Sequence, residues 1–94
     1  MSAEPLVDVV FTEHARLEMA HRLIDEEIVR RVLANPEQRF EVRPGRHVLQ
    51  SRVVASGSEK AYLVRVFADV DRVPGAIVTV YRTSRIAKYW KETP

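Results

Sequence analysis

The sequence predicts an α+β domain: two N-terminal helices packed on a four-stranded antiparallel meander, closed by a short C-terminal helix. Three observations carry this. Apolar residues recur at helical spacing as far as Asn35-Pro36. From about residue 39 the period drops to two. The strand-like segments that follow are joined by short turn signals, which implies hairpins.

The first helix begins at Thr12, a suitable N-cap, with Glu13 in the first turn where a carboxylate suits the helix dipole. Phe11, Ala15 and Met19 recur every four residues and face the core. Asp25 is the expected N-cap of a second helix, with Glu26 and Glu27 behind it and Ile28, Val32 and Leu33 as its apolar stripe. Glu26–Arg30 and Glu27–Arg31 are i,i+4 pairs in the favourable order, each contributing roughly 0.3 kcal/mol. Pro36 ends the helix by biasing Asn35 away from helical geometry. Val7 to Phe11 is a short apolar entry with the character of an extra strand.

Arg43-Pro44-Gly45-Arg46 separates strands at about 39–42 and 47–54. Ser56-Gly57-Ser58 separates the latter from 60–68, and Asp71-Arg72-Val73-Pro74-Gly75 separates that from 76–81. Ser84 to Glu92 reads as a helix capped by Thr83 or Ser84, with Ile86, Tyr89 and Trp90 docking on the sheet.

Composition limits what such a domain does. Ninety-four residues make one domain with room for one core and a shallow site. A fraction of 46% hydrophobic and 30% charged residues is that of a folded chain. The absence of cysteine excludes disulfides, thiolate metal sites and cysteine nucleophiles. With no signal-like or membrane-spanning run, the expected place is the cytoplasm. Charge is polarised. Residues 1–41 hold five basic against nine acidic residues, and residues 42–94 hold ten against four. The second half therefore suits a polyanion such as RNA, or an acidic protein.

Strand alternation then selects a face. Tyr62, Val64 and Val66 form one set with Val78 and Val80, and Leu49 and Val53 join them toward the helices. Leu63, Arg65 and Phe67 form the other with Ile77, Thr79, Tyr81, Gln50 and Arg52. The second face carries guanidinium groups, which bind phosphate bidentately, and rings on which bases stack. Arg22, Arg52, Arg82 and Arg85 are the expected RNA contacts. His14, Arg65, Tyr81 and Lys88 are the expected catalytic groups of a metal-independent endoribonuclease: proton transfer by His14, Tyr81 or Lys88, and charge stabilisation by arginine. The plain structural reading stands beside this one. Arg65 snorkels from a partly covered face, Tyr81 packs with a satisfied hydroxyl, and the last helix shows a solvated basic side. His14, Glu18 and Arg22 share a helix face, where a Glu18–Arg22 ion pair is the plain account.

Other chemistries fit poorly. His14 and His21 stand about 10 Å apart along a helix, too far for one zinc, so neither a metal nor a cofactor is expected. Asp25, Glu26 and Glu27 at the start of the second helix would repel DNA phosphates. The serines have no nucleophile-elbow context, and glycines 45, 57 and 75 build no phosphate loop.

The segment His14-Ala15-Arg16-Leu17-Glu18-Met19-Ala20-His21-Arg22-Leu23-Ile24 resembles the opening of the domain-of-unknown-function family 4258 (DUF4258). That family has His-Ala, a Met five residues after the His, an Arg at eight, Gly-Ile, and an acidic helix. His14, Ala15, Met19, Arg22 and Ile24 match. Glu18 stands where Arg is usual and Leu23 where Gly is usual, which leaves two outcomes, a helix break or a continuous helix. Val78 to Trp90 is similar to the closing strand and helix, so the resemblance spans about residues 11–90. The family is itself similar to the BrnT and RelE toxins, small α+β ribonucleases paired with an antitoxin. The histidine of the BrnT His-Gly pair is replaced by Arg22, and Arg82-Thr83-Ser84-Arg85 resembles the basic strand-to-helix junction. The resemblance implies an RNA-directed protein of a type II toxin–antitoxin system. The alternative is a binding module that holds RNA or an acidic antitoxin-like partner without cleavage. Free sheet edges leave a homodimer open.

Overall fold

The computed structural model describes residues 3–54, 57 and 59–92. The elements run β1 (Val9–Phe11), α1 (Glu13–His21), α2 (Glu26–Ala34), β2 (Gln38–Arg43), β3 (Arg46–Val54), β4 (Ala61–Asp69), β5 (Gly75–Thr83) and α3 (Ile86–Tyr89). Ser56 and Ser58 of the expected β3–β4 turn lie outside the described residues.

Thr12 caps α1 as its sequence position suggests. Its hydroxyl accepts from the Ala15 N–H at 3.1 Å and donates to the Ile77 carbonyl at 2.9 Å, so one side chain both starts the helix and fastens it to β5. The helix ends at Arg22. Leu23 adopts φ +54°, the Ile24 N–H reaches the Met19 carbonyl at 2.9 Å, and the Leu23 N–H reaches Ala20 at 3.4 Å. This is a Schellman closure, and its usual apolar contact is supplied by buried Ile24 and Met19. The two helices are therefore separate although Leu, not Gly, holds the left-handed position. Asp25 sits at the N-cap of α2, but its side chain makes no capping hydrogen bond, contrary to expectation. The buried face of α2 is Val29, Val32 and Leu33, with Ile28 only partly covered.

The sheet has five strands in the order β1-β5-β4-β3-β2. β2 to β5 form the expected antiparallel meander, but β1 adds to β5 in parallel, Val9 opposite Gly75 and Phe11 opposite Ile77. The expectation of a purely four-stranded antiparallel sheet is thus corrected to a mixed one. A three-residue strand whose partner lies more than sixty residues away leaves no local pairing signal.

A second correction concerns β5. Phe67 pairs with Thr79 and Ala68 with Ile77, so Val78 is an extra residue, a β-bulge. The bulge reverses the facing of everything before it. Ile77, expected beside Thr79 and Tyr81, is fully buried in the core with Val80. Leu49, Val64 and Val66 complete the sheet side of that core, and Ala15, Met19, Val29, Val32 and Leu33 the helix side.

The C-terminal helix is shorter than expected, one turn over Ile86–Tyr89. Its N-cap is Arg85 without a side-chain bond, not Thr83 or Ser84. Thr83 instead accepts the Arg85 N–H through its hydroxyl at 3.1 Å. Among the described residues no helix is long and apolar enough to cross a membrane.

Candidate nucleic-acid interface

Register places Gln38 opposite Gln50, Gln50 opposite Arg65, and Arg65 opposite Tyr81. These four side chains form one row across four strands, on the face away from α1 and α2. Each is bonded to the next. The Gln50 amide donates to Gln38 Oε1 at 2.7 Å, Arg65 Nε donates to Gln50 Oε1 at 2.8 Å, and Arg65 Nη1 donates to the Tyr81 hydroxyl at 2.5 Å. Gln50 is fully buried and Arg65 is 8% exposed. Burying a guanidinium is costly unless its donors are used, and here the partners are an amide and a phenol rather than a carboxylate.

Aromatic rings supply the remaining stabilisation. Arg65 Cζ lies 5.2, 5.6 and 4.6 Å from the ring centres of Phe67, Tyr81 and Tyr89. A cation beside a π face gains from the ring quadrupole, more so when both are shielded from water. Lys88 Nζ stands 5.3 Å from the centre of the same Tyr89 ring. Tyr89 in turn meets Tyr81 edge-on at 6.2 Å. Arg65, Tyr81 and Lys88 are thus brought together around one ring, and Arg85 lies at the start of the turn that carries Lys88 and Tyr89.

His14 is not part of this assembly. It is exposed on α1, 3.4 Å from Glu18, and α1 packs on the other face of the sheet. Glu18 and Arg22 form the ion pair that their spacing suggests, at 2.9 Å, and the pair has a further task. Glu18 Oε1 accepts from the Val80 N–H at 3.3 Å and Arg22 Nη1 donates to the Val80 carbonyl at 2.7 Å. Beyond the reach of β1, the edge of β5 is closed at Val80 by two side chains acting as a strand would. Arg82 also belongs to the helix side. It donates to the Leu23 carbonyl at 3.4 Å and lies 5.4 Å from the Tyr62 ring. Together with His21, Arg22, Leu23 and Tyr81 it lines an open cavity of about 510 Å³ at this edge.

Arg52 meets Glu37 at 2.7 Å, so its charge is matched, and its guanidinium stacks 4.4 Å from the Trp90 ring centre. The hydrogen bond from Arg52 holds the Glu37 carboxyl below its ordinary range. Arg46 does the same for Asp69 at the far end of β3 and β4. Glu26 is lowered by hydrogen bonds from Arg16 and Arg30, the two guanidinium groups that flank the Phe11 ring. Among the described residues Arg65, Arg82, Arg85, Lys88 and Lys91, from β4 onward, form no ion pair, and neither do Arg39 and Arg43 on β2. None of the described His, Asp and Glu side chains gather in a group able to hold a metal ion.

Sequence reading missed Gln38, and it placed Gln50 on this face without a role. The turn at Pro44-Gly45 pairs Arg43 with Arg46, a register that by itself would set residue 38 opposite residue 51. An irregularity between Glu41 and Arg43 shifts it by one and brings Gln38 opposite Gln50, which the turn signal did not reveal.

A family model for a domain of unknown function, DUF4258, matches residues 11–82. The chain belongs to the DUF4258 family. The match begins at the last residue of β1 and ends near the close of β5, so DUF4258 takes in α1, α2 and the whole meander. No curated protein and no solved structure matches the chain.

Proposed function

We propose that this DUF4258 chain is an RNA-directed protein of the small-toxin type, acting from the face that carries Arg65. The observation behind the proposal is the convergence of Arg65 and Lys88 on the Tyr89 ring beside the Tyr81 hydroxyl, with no ion pair to neutralise either cation. Unneutralised cations interleaved with aromatic rings suit single-stranded nucleic acid, whose phosphates and unstacked bases they engage together. In a metal-independent cleavage, Tyr81 or Lys88 would move the proton of the ribose 2′-hydroxyl or of the leaving oxygen, and Arg65 would stabilise the charged transition state. His14, across the sheet, has no part in it. The likeness to BrnT and RelE toxins points the same way, and an acidic antitoxin-like partner belongs to that likeness.

A second reading, RNA or partner binding without cleavage, is favoured by one observation. Arg65 is almost fully buried with Nε and Nη1 already engaged. Induced expression in a bacterial host separates the two. Growth arrest with loss of RNA in the wild type, absent from a folded Arg65→Ala/Tyr81→Phe variant, supports cleavage. Normal growth and intact RNA from a well-expressed wild type support binding alone.

A further inference from the structure

The face just described is covered by the chain's own C-terminal segment, and the manner of covering is unusual. Gln38 grips the backbone of Lys91 at two points, its amide donating to the Lys91 carbonyl at 2.7 Å and its oxygen accepting from the Lys91 N–H at 3.0 Å. Gln50 donates to the Tyr89 carbonyl at 3.1 Å. Trp90 and Lys91 are held at the rim by stacking on Arg52 and on Phe40. No residue of α3 is buried. A one-turn helix has no stability of its own, so these few polar fasteners and ring contacts are what hold it down. They close over a polar row that includes a buried cation. A tail that served only packing would place apolar side chains over an apolar surface.

We propose that residues 86–92 are a strap, and that the Gln38–Gln50–Arg65–Tyr81 row beneath is a binding row for single-stranded RNA that this strap occupies in the free protein. The inference rests on the RNA reading given above. The strap presents to the row what an extended ligand would, a backbone with alternating donors and acceptors. A nucleic-acid strand that takes its place meets the amides of Gln38 and Gln50 along its base edges and Arg65 at a phosphate. Segments held by few buried contacts open locally far more readily than the fold as a whole. Once lifted, the strap carries Lys88, Lys91, Tyr89 and Trp90 onto the bound strand. RNA affinity of the free protein is then set partly by the work of opening the strap.

Trp90 is the single tryptophan of the chain, so its emission reports the strap directly. The experiment titrates full-length wild type, Gln38→Ala and Lys91→Pro with an unstructured RNA oligonucleotide and with a matching RNA duplex. It follows affinity and Trp90 emission together, with folding checked by circular dichroism. Lys91→Pro removes the N–H bonded to Gln38 without touching the buried row, and its lost charge works against any gain in affinity. The expected result is a Trp90 shift in the wild type on binding single-stranded RNA. Both variants start at the shifted emission. Lys91→Pro, which keeps every side chain of the row, binds that RNA at least threefold more tightly, whereas Gln38→Ala, which also loses a contact to the strand, gains less, and neither responds to duplex. Equal or weaker binding by Lys91→Pro, with Trp90 unmoved by RNA, overturns the strap while the RNA reading stands. No RNA binding by any of the three overturns both.

Discussion

The two faces of this sheet are covered in opposite ways. Toward α1 and α2, Leu49, Val64, Val66 and Val80 are fully buried against apolar side chains. Toward the C-terminal segment, Gln50 is as fully buried and Arg65 nearly so, but beneath hydrogen bonds and ring contacts. Apolar burial is non-directional and contributes in proportion to area. A buried polar row contributes little net stability and is sensitive to every missing partner. The comparison teaches how differently one sheet can be covered on its two sides. The helix side holds the fold, and the proposed RNA-directed chemistry lies on the other side, beneath a segment held by few contacts.

Four substitutions or conditions sharpen this contrast. The largest effect is expected on the helix side, where Leu33→Ala removes a 1% exposed side chain that contacts the core. Denaturant unfolding should show a loss of about 3 kcal/mol. On the strap side, Tyr81→Phe leaves the ring and deletes only the hydroxyl that accepts from Arg65. A loss of about 1 kcal/mol is expected in the same assay, together with a disproportionate loss of RNA cleavage or binding. If Tyr81→Phe cost as much as Leu33→Ala, the division between the faces would be wrong.

Acid should act on the ion pairs at the rim rather than on either covered face. Glu37 and Asp69 have folded-state values lowered by Arg52 and Arg46. Their contribution is complete above the ordinary carboxylate range and is lost as pH falls through that range toward the lowered values. Thermal unfolding from pH 6 down to pH 3 should therefore show falling stability, with a shallower fall for Asp69→Asn. The smallest effect concerns Leu23, 79% exposed and in the left-handed conformation. Leu23→Gly relieves a cost of about 1 kcal/mol, offset in part by the greater freedom of glycine when unfolded. A rise in melting temperature of a few degrees or less, with RNA binding unchanged, is the expected outcome.

Much of the fold was legible because its causes are local. Thr12, the Phe11–Ala15–Met19 spacing, Asn35-Pro36 and the turn at Pro44-Gly45 each act within a few residues of themselves. The candidate site was half legible. Alternation put Gln50, Arg65 and Tyr81 on one face, since period-two geometry needs no knowledge of the partner strands. It misplaced Ile77, because a bulge depends on how β5 lies against β4. It grouped Arg82 with Arg65 by closeness in sequence, although alternation from Tyr81 sends Arg82 to the helix side.

The sequence by itself determined the two helices, the meander and the concentration of positive charge after residue 41, because propensity, periodicity and composition belong to the chain. Only the tertiary structure decided the parallel pairing of β1, the Glu18–Arg22 clasp on Val80, the distance between His14 and Arg65, and the strap over the polar row. Each of these joins residues far apart in sequence, and a contact of that kind exists only once the layers have packed.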